Sequence, residues 1–172
     1  MNEQMIPREG EYGAYYEGYI SNVKGQDIMA LLLSQIEEVR NLFEKFGESK
    51  SNLAYAEGKW SAKEVLGHMT DTDRIMACRA LCIARGEKHS LPGFDQDAYV
   101  LEGKFNEVPL MRLLEEFEMS RYALASMFKN IPASSYSHTG LANNNPASVR
   151  ALLHIIAGHT VHHLQVLKDK YL

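Results

Sequence analysis

Two histidines four residues apart, His159 and His163, together with a distant third, His68, are the side chains of this sequence best placed to do chemistry. Residues i and i+4 of a helix stack one turn above another, so His159 and His163 can aim imidazole nitrogens at one point. On a wheel advancing about 100° per residue, both fall in the apolar arc of Val149, Leu152, Leu153, Ile156, Val166 and Leu167. His154 and His162 fall among Arg150, Gln165, Lys168 and Asp169, which places them at water or its border. His68 lies beside the apolar line of Val65, Met69, Met76 and Ile83, on a stripe shared with Thr72, Ile75 and Arg79. A lone inward-facing histidine is ordinarily a hydrogen-bonded core residue. Two neutral imidazoles on one buried face are harder to satisfy separately, and a third from another helix completes a ligand set for a divalent metal ion. His162 rivals His159 or His163 because i,i+3 pairs also share a face, but the wheel makes it a rim residue.

Three neutral imidazoles leave coordination positions for water or substrate, the pattern of a catalytic rather than a closed structural site. Zinc and nickel suit imidazole best, and iron or manganese are also compatible. Such an ion would lower the pKa of a bound water or thiol and make a nucleophile at neutral pH. Glu64 and Asp71, a turn on either side of His68, are candidates to orient it through its second ring nitrogen, set against plain roles in capping and surface charge. Other chemistries lack their signatures: there is no HExxH, no Glu-x-x-His pair of the di-iron type, no G-x-S-x-G, and no Walker or Rossmann glycine pattern. The two cysteines, Cys78 and Cys82, are spaced CxxxC and read as helix packing.

These side chains must be carried by helices. Residues 27–46 repeat apolar positions at threes and fours (Met29, Leu32, Leu33, Ile36, Val39, Phe43), and Gly47 supplies a stop. A second helix opens at Trp60-Ser61-Ala62-Lys63-Glu64-Val65, with Ser61 and Glu64 spaced as a capping box and Trp60 and Val65 as a hydrophobic staple. It runs to about Arg85, before Gly86. Residues 87–106 form a long connection with a short helical piece near 95–100, and a connection of that length is usually functional or partly structured. A third helix spans about 107–129, with Leu110, Leu113, Leu114, Phe117, Leu124 and Phe128 as its stripe. Asn143-Asn144-Asn145-Pro146 marks a turn, and a fourth helix covers about 148–170. Residues 1–24 read as an irregular arm with one short turn at 15–20. No strand alternation is evident. The expected fold is therefore all-α: one four-helix bundle domain over residues 1–172, with the long connection between its second and third helices.

Composition agrees. At 172 residues the chain can bury a core without staples. Hydrophobic and charged shares of 45% and 23% are ordinary, and a net charge of -4 offers no broad basic field for nucleic acid or an anionic membrane. The opening MNEQMIPREG has no apolar core of a signal peptide, and no apolar run approaches the ~20 residues of a membrane span. With two cysteines only, a reducing, cytoplasmic setting is expected.

The stretches Lys59-Trp60-Ser61-Ala62-Lys63-Glu64-Val65-Leu66-Gly67-His68, Leu91-Pro92-Gly93-Phe94-Asp95-Gln96-Asp97, and Ser148-Val149-Arg150 through Gly158-His159-Thr160-Val161-His162-His163 together resemble the DinB-like superfamily, in its YfiT-type branch of proteins named metal-dependent hydrolases and thiol S-transferases. The resemblance runs from the first helix to the end of the chain. It implies an up-and-down four-helix bundle, often dimeric, whose metal is held by one histidine of the second helix and an i,i+4 pair of the fourth. Carried onto this sequence, those are His68, His159 and His163. It also implies that the loop of residues 94–97 lies near the pocket, and relatives include enzymes that use low-molecular-weight thiols. The expectation is thus a homodimeric, metal-dependent enzyme for a small molecule, with a thiol as one candidate partner. Arg79, Asp95 and Gln96 are the candidates to hold the substrate, and a non-catalytic metal-binding bundle is the alternative.

Overall fold

The computed structural model describes residues 5–172. Four long helices form the bundle: α2 (Ile28–Ser51), α3 (Ala62–Ala84), α5 (Leu110–Lys129) and α6 (Val149–Lys170). Two short helices accompany them, α1 (Glu17–Asn22) before the bundle and α4 (Gln96–Gly103) in the long connection. A hairpin of β1 (Thr139–Ala142) and β2 (Asn145–Ser148) precedes α6. No helix among the described residues is long and apolar enough to cross a membrane.

Local chemistry sets the helix ends. The Asp27 carboxylate accepts hydrogen bonds from the Met29 and Ala30 amides at 3.1 Å and starts α2. The capping box of α3 is complete: Ser61 Oγ accepts from the Glu64 amide at 3.1 Å, and the Glu64 carboxylate accepts from the Ser61 amide at 2.7 Å. The Ser148 hydroxyl does the same for α6 through the Ala151 amide. Gly47 does not stop α2. It takes φ +67° and kinks the helix, which resumes to Ser51, where the Ser51 hydroxyl donates back to the Gly47 carbonyl at 2.7 Å.

Two further expectations give way. The segment 17–22 is a helix that packs along α6, because Gly158 leaves the space: a Cβ there would sit 1.9 Å from the Tyr19 carbonyl oxygen. The turn at residues 143–145 closes a real antiparallel hairpin, with Asn143 and Asn144 both at positive φ as a type I′ turn requires. Strands of four residues are too short to display alternation, so only the turn was visible.

The first and second bundle helices are not neighbours, and neither are the third and fourth. α2 and α3 each pack against α5 and α6 and barely touch one another, so they lie on a diagonal. A plain up-and-down order would set them side by side. The diagonal steps are made by residues 52–61 and 130–148, whereas the long connection joins the neighbours α3 and α5 and docks Phe105 onto α3 at Gly67; a Cβ on Gly67 would meet the Phe105 ring at 2.4 Å.

The apolar core is split in two. One part gathers Leu32, Met76, Ile83, Phe128, Leu152 and Ile156; the other gathers Val39, Phe43, Leu66, Met69, Phe117 and Leu164. Between them each long helix contributes one buried polar residue: Gln35, Asp73, Arg121 and Thr160. Arg121, with no exposed surface, donates to Asp73 at 2.6 and 3.2 Å and to Gln35 Oε1 at 2.7 Å, and it also bonds the Thr160 hydroxyl. The Gln35 amide nitrogen then donates to the Ala157 carbonyl at 2.8 Å. Burial pushes the Asp73 carboxyl up to about 6 against the opposing pull of Arg121.

A buried charge that loses its partner is far worse than no charge at all. Arg121→Met is therefore expected to cost about 3–5 kcal/mol in urea unfolding. The double variant with Asp73→Leu should lose clearly less than the sum of the two single changes. Strict additivity would show that the layer is not one network.

Candidate metal centre

His68 projects from α3 and His159 and His163 from successive turns of α6, and the three rings meet. His68 Nε2 and His163 Nε2 each stand 3.0 Å from His159 Nε2. One ligand nitrogen from each ring lies within 4.8 Å of the others. His68 and His159 are only 4% and 5% exposed, while His163 is partly open. Trp60 lies against His68 with ring centres 4.7 Å apart, and Tyr19 meets His159 edge-on at 5.4 Å. The staple residue and the short α1 thereby wall the rings in.

Burial makes all three rings poor bases. It lowers His68 to about 4 and His163 to about 3, and it holds His159 well below the usual imidazole value, with the neighbouring rings adding to the effect. All three are neutral at physiological pH. Two neutral rings cannot both make a good hydrogen bond to one Nε2, which has either a single proton or a single in-plane lone pair. An ion accepting a lone pair from each ring removes that conflict. The Nδ1–H atoms then face away, and His159 Nδ1 is buried without a hydrogen-bond partner. Three neutral, convergent imidazoles with no carboxylate among them suit zinc or another imidazole-loving divalent ion.

The rings stand at the edge of a cavity of about 290 Å³, which His68 and His159 line together with Tyr19, Thr72, Gln96 and Asn143. A second cleft, about 330 Å³, reaches His163 and is lined by Trp60, Tyr55 and Lys59. Of the candidate substrate residues, the structure brings only Gln96 to the first cavity. Asp95 turns its carboxylate to the Asp97 and Ala98 amides and caps α4. Arg79 is buried and donates to the Pro92 carbonyl at 2.6 Å with its guanidinium over Phe94, so it holds the loop that carries Gln96. Neither carboxylate considered for orienting His68 bonds to it: Glu64 is spent on its cap, and Asp71 faces Arg74.

His162 is exposed at the rim, as its wheel position indicated. His154 and Arg150 are not at the border of water. They are 5% and 3% exposed, because the segment before α2 covers the face of α6 opposite the bundle, where Glu11 pairs with Arg150. Pattern reasoning passed over Tyr19 and placed Thr72 on the His68 stripe without a role at the site. Thr72 stands one turn beyond His68, buried, with its hydroxyl lacking a partner. That i,i+4 spacing from His68 was its visible signal. Tyr19 belonged to a run of tyrosines whose segment showed no helical period.

Acid should test the neutral rings in the metal-free protein. The folded His68 value of about 4 lies below the unfolded value near 6.5. Its contribution is therefore whole above pH 6.5 and is lost as pH falls from there toward 4. Between pH 7 and 4.5 this amounts to roughly 2–3 kcal/mol. His68→Gln should show a smaller loss of stability over the same interval, measured by urea unfolding with chelator present. Equal losses would mean that the His68 ring is not held neutral by burial.

Comparison with known proteins fits this geometry. No curated protein matches the chain. The solved structure of YfiT from Bacillus subtilis, described as a probable metal-dependent hydrolase with an unusual four-helix bundle topology, superposes with a TM-score of 0.71 at 12% identity, covering 95% of this chain and 89% of that one. At that identity the likeness speaks for the fold. The family model of the DinB superfamily matches residues 31–167, from the first turn of α2 almost to the end of α6. That span takes in all three converging histidines, and the chain belongs to the DinB superfamily.

Proposed function

We propose that this protein is a metal-dependent enzyme that hydrolyses an uncharged small molecule at an ion held by His68, His159 and His163. The observation that carries the reading is the convergence of three neutral ring nitrogens at the edge of an open cavity rather than inside sealed core. A divalent ion, zinc or nickel by ligand type, supplies a Lewis acid there and lowers the pKa of a bound water. The description of YfiT as a metal-dependent hydrolase supports the same reaction class.

The chain's own residues define what enters. Among the described residues the cavity lining holds no Lys, Arg, Asp or Glu, so apart from the ion itself no side chain there pairs with a charged substrate. Its polar groups are hydroxyls and amides. Burial pushes the Tyr19 phenol upward and a hydrogen bond with Tyr15 adds to this, so a protonated hydroxyl stands in the cavity wall. The Thr72 hydroxyl has no other partner and is free to bond a substrate carbonyl or the water beside it. Gln96, held over the cavity by the Arg79-anchored loop, adds an amide.

A second reading, transfer of a low-molecular-weight thiol to an electrophile, draws support from the separately lined cleft that reaches His163. Two approaches to one centre suit two substrates.

Reconstitution with zinc or nickel should give one ion per chain by elemental analysis. His163→Ala should weaken metal affinity by more than the ~10–100-fold typical of changes outside the ligand shell. The loaded protein should cleave neutral esters or amides, or join thiols to neutral electrophiles, and chelator should abolish either activity. Thr72→Val should keep the ion and slow turnover about tenfold, the worth of one buried hydrogen bond. No stoichiometric ion after reconstitution, or equal rates for wild type and His163→Ala across both substrate panels, would overturn the reading.

A further inference from the structure

A second cavity lies on the far side of α6. It holds about 310 Å³ and is bounded by Met5, Ile6, Ile20, Ile28 and Met29, with His154 in its wall. It shares no lining residue with the cavity at the three histidines. His154 precedes His159 by five residues, about 140° round the helix, which aims the two rings away from each other.

Most polar groups around this cavity are already engaged. The Tyr12 and Ser21 hydroxyls both donate to the Glu17 carboxylate, at 2.8 and 3.1 Å. The Asp27 carboxylate caps α2, and the Gln26 amide donates to the Asn22 carbonyl. The exposed Lys24 amine also borders the cavity, and the buried exception inside the wall is His154. Its Nδ1 lies 2.9 Å from the Arg150 carbonyl oxygen. A carbonyl only accepts, so Nδ1 carries the proton and Nε2 carries the lone pair. Burial holds this imidazole neutral. Among the described residues no donor meets Nε2, on a side chain that is 95% buried by its 5% exposure. A chamber with apolar walls, a polar exposed border and a buried, unpaired acceptor in its wall has the composition of a small-molecule site.

We propose that this chamber binds a neutral, mostly apolar molecule carrying one hydroxyl or N–H group, which donates to His154 Nε2. A cavity near 150 Å³ accepts benzene, so this one accepts a fused two-ring aromatic or an aliphatic body of similar size. A carboxylate is the wrong partner for His154, because the unprotonated Nε2 would face it lone pair to lone pair, and Glu17 and Asp27 offset the Lys24 charge at the cavity. The site is separate from the metal centre and would stand whether or not that centre is catalytic.

The test titrates the zinc-loaded full chain with 2-naphthol, naphthalene and 2-naphthoate, following binding by calorimetry and the histidine ring nitrogens by long-range proton–nitrogen NMR. The expected result is 2-naphthol binding about tenfold tighter than naphthalene, with the His154 Nε2 resonance shifting and those of His68, His159 and His163 unmoved. His154→Leu should bind the two equally. Should that variant fold poorly, the wild-type Nε2 shift decides alone. Equal affinity of wild type for 2-naphthol and naphthalene, preference for 2-naphthoate, no saturable binding, or shifts confined to the three-histidine centre would each overturn the proposal.

Discussion

A single guanidinium ties the bundle together at its middle. Arg121 is wholly buried, and its donors are met by residues from the three other long helices: Asp73 on α3, Gln35 on α2 and Thr160 on α6. A charge removed from water is tolerated only with its partners in place, so any slippage of one helix along another would leave part of the set unpaired. Apolar packing alone is more forgiving, since neighbouring turns of Leu and Phe can exchange roles at modest cost. The polar layer thus fixes the axial register of helices that the two apolar half-cores merely press together.

That register bears directly on the histidines. Thr160 is the residue after His159, and the Gln35 amide holds the Ala157 carbonyl two residues before it. The turn of α6 that carries His159 is therefore pinned from two sides, while the completed capping box fixes the start of α3 about two turns before His68. Convergence of rings from two helices within hydrogen-bonding distance demands such control, because an error of one residue in register would shift a ring by about 1.5 Å. Electrostatics follow the same plan. Asp73 compensates Arg121 inside the layer, and the three rings are neutral, so a divalent ion among them would keep its whole charge for polarising what it binds.

The N-terminal segment completes the arrangement. α1 reaches α6 only because Gly158 has no side chain, and it delivers Tyr19 to the edge of His159 and to the wall of the cavity. The same segment covers the opposite face of α6 and encloses the chamber beside His154. One helix therefore presents a ring to a cavity on each of two sides. That is why every residue from Val149 to Thr160 is buried, where an amphipathic helix would show a wet face.

Much of this was legible in the residues alone. Periodicity located the four long helices, the Ser61 and Glu64 spacing located one of their starts, and the four-residue spacing of His159 and His163 put two rings on one inward face. Even the polar layer left a trace: the apolar stripes of α3 and α5 are interrupted at Asp73 and Arg121, where continuous periodicity calls for large apolar side chains. Such an interruption cannot reveal its partner, since Gln35, Asp73, Arg121 and Thr160 are far apart in the chain. The diagonal placement of α2 and α3, the burial of His154 and Arg150, and the arrival of Tyr19 over His159 were likewise beyond reach, because each depends on which surface covers which. Local sequence determined what each helix is and which face it turns inward, through short-range hydrogen bonds and the 3.6-residue period. Tertiary structure alone decided which faces meet, since burial and charge pairing are settled between segments that share no local signal.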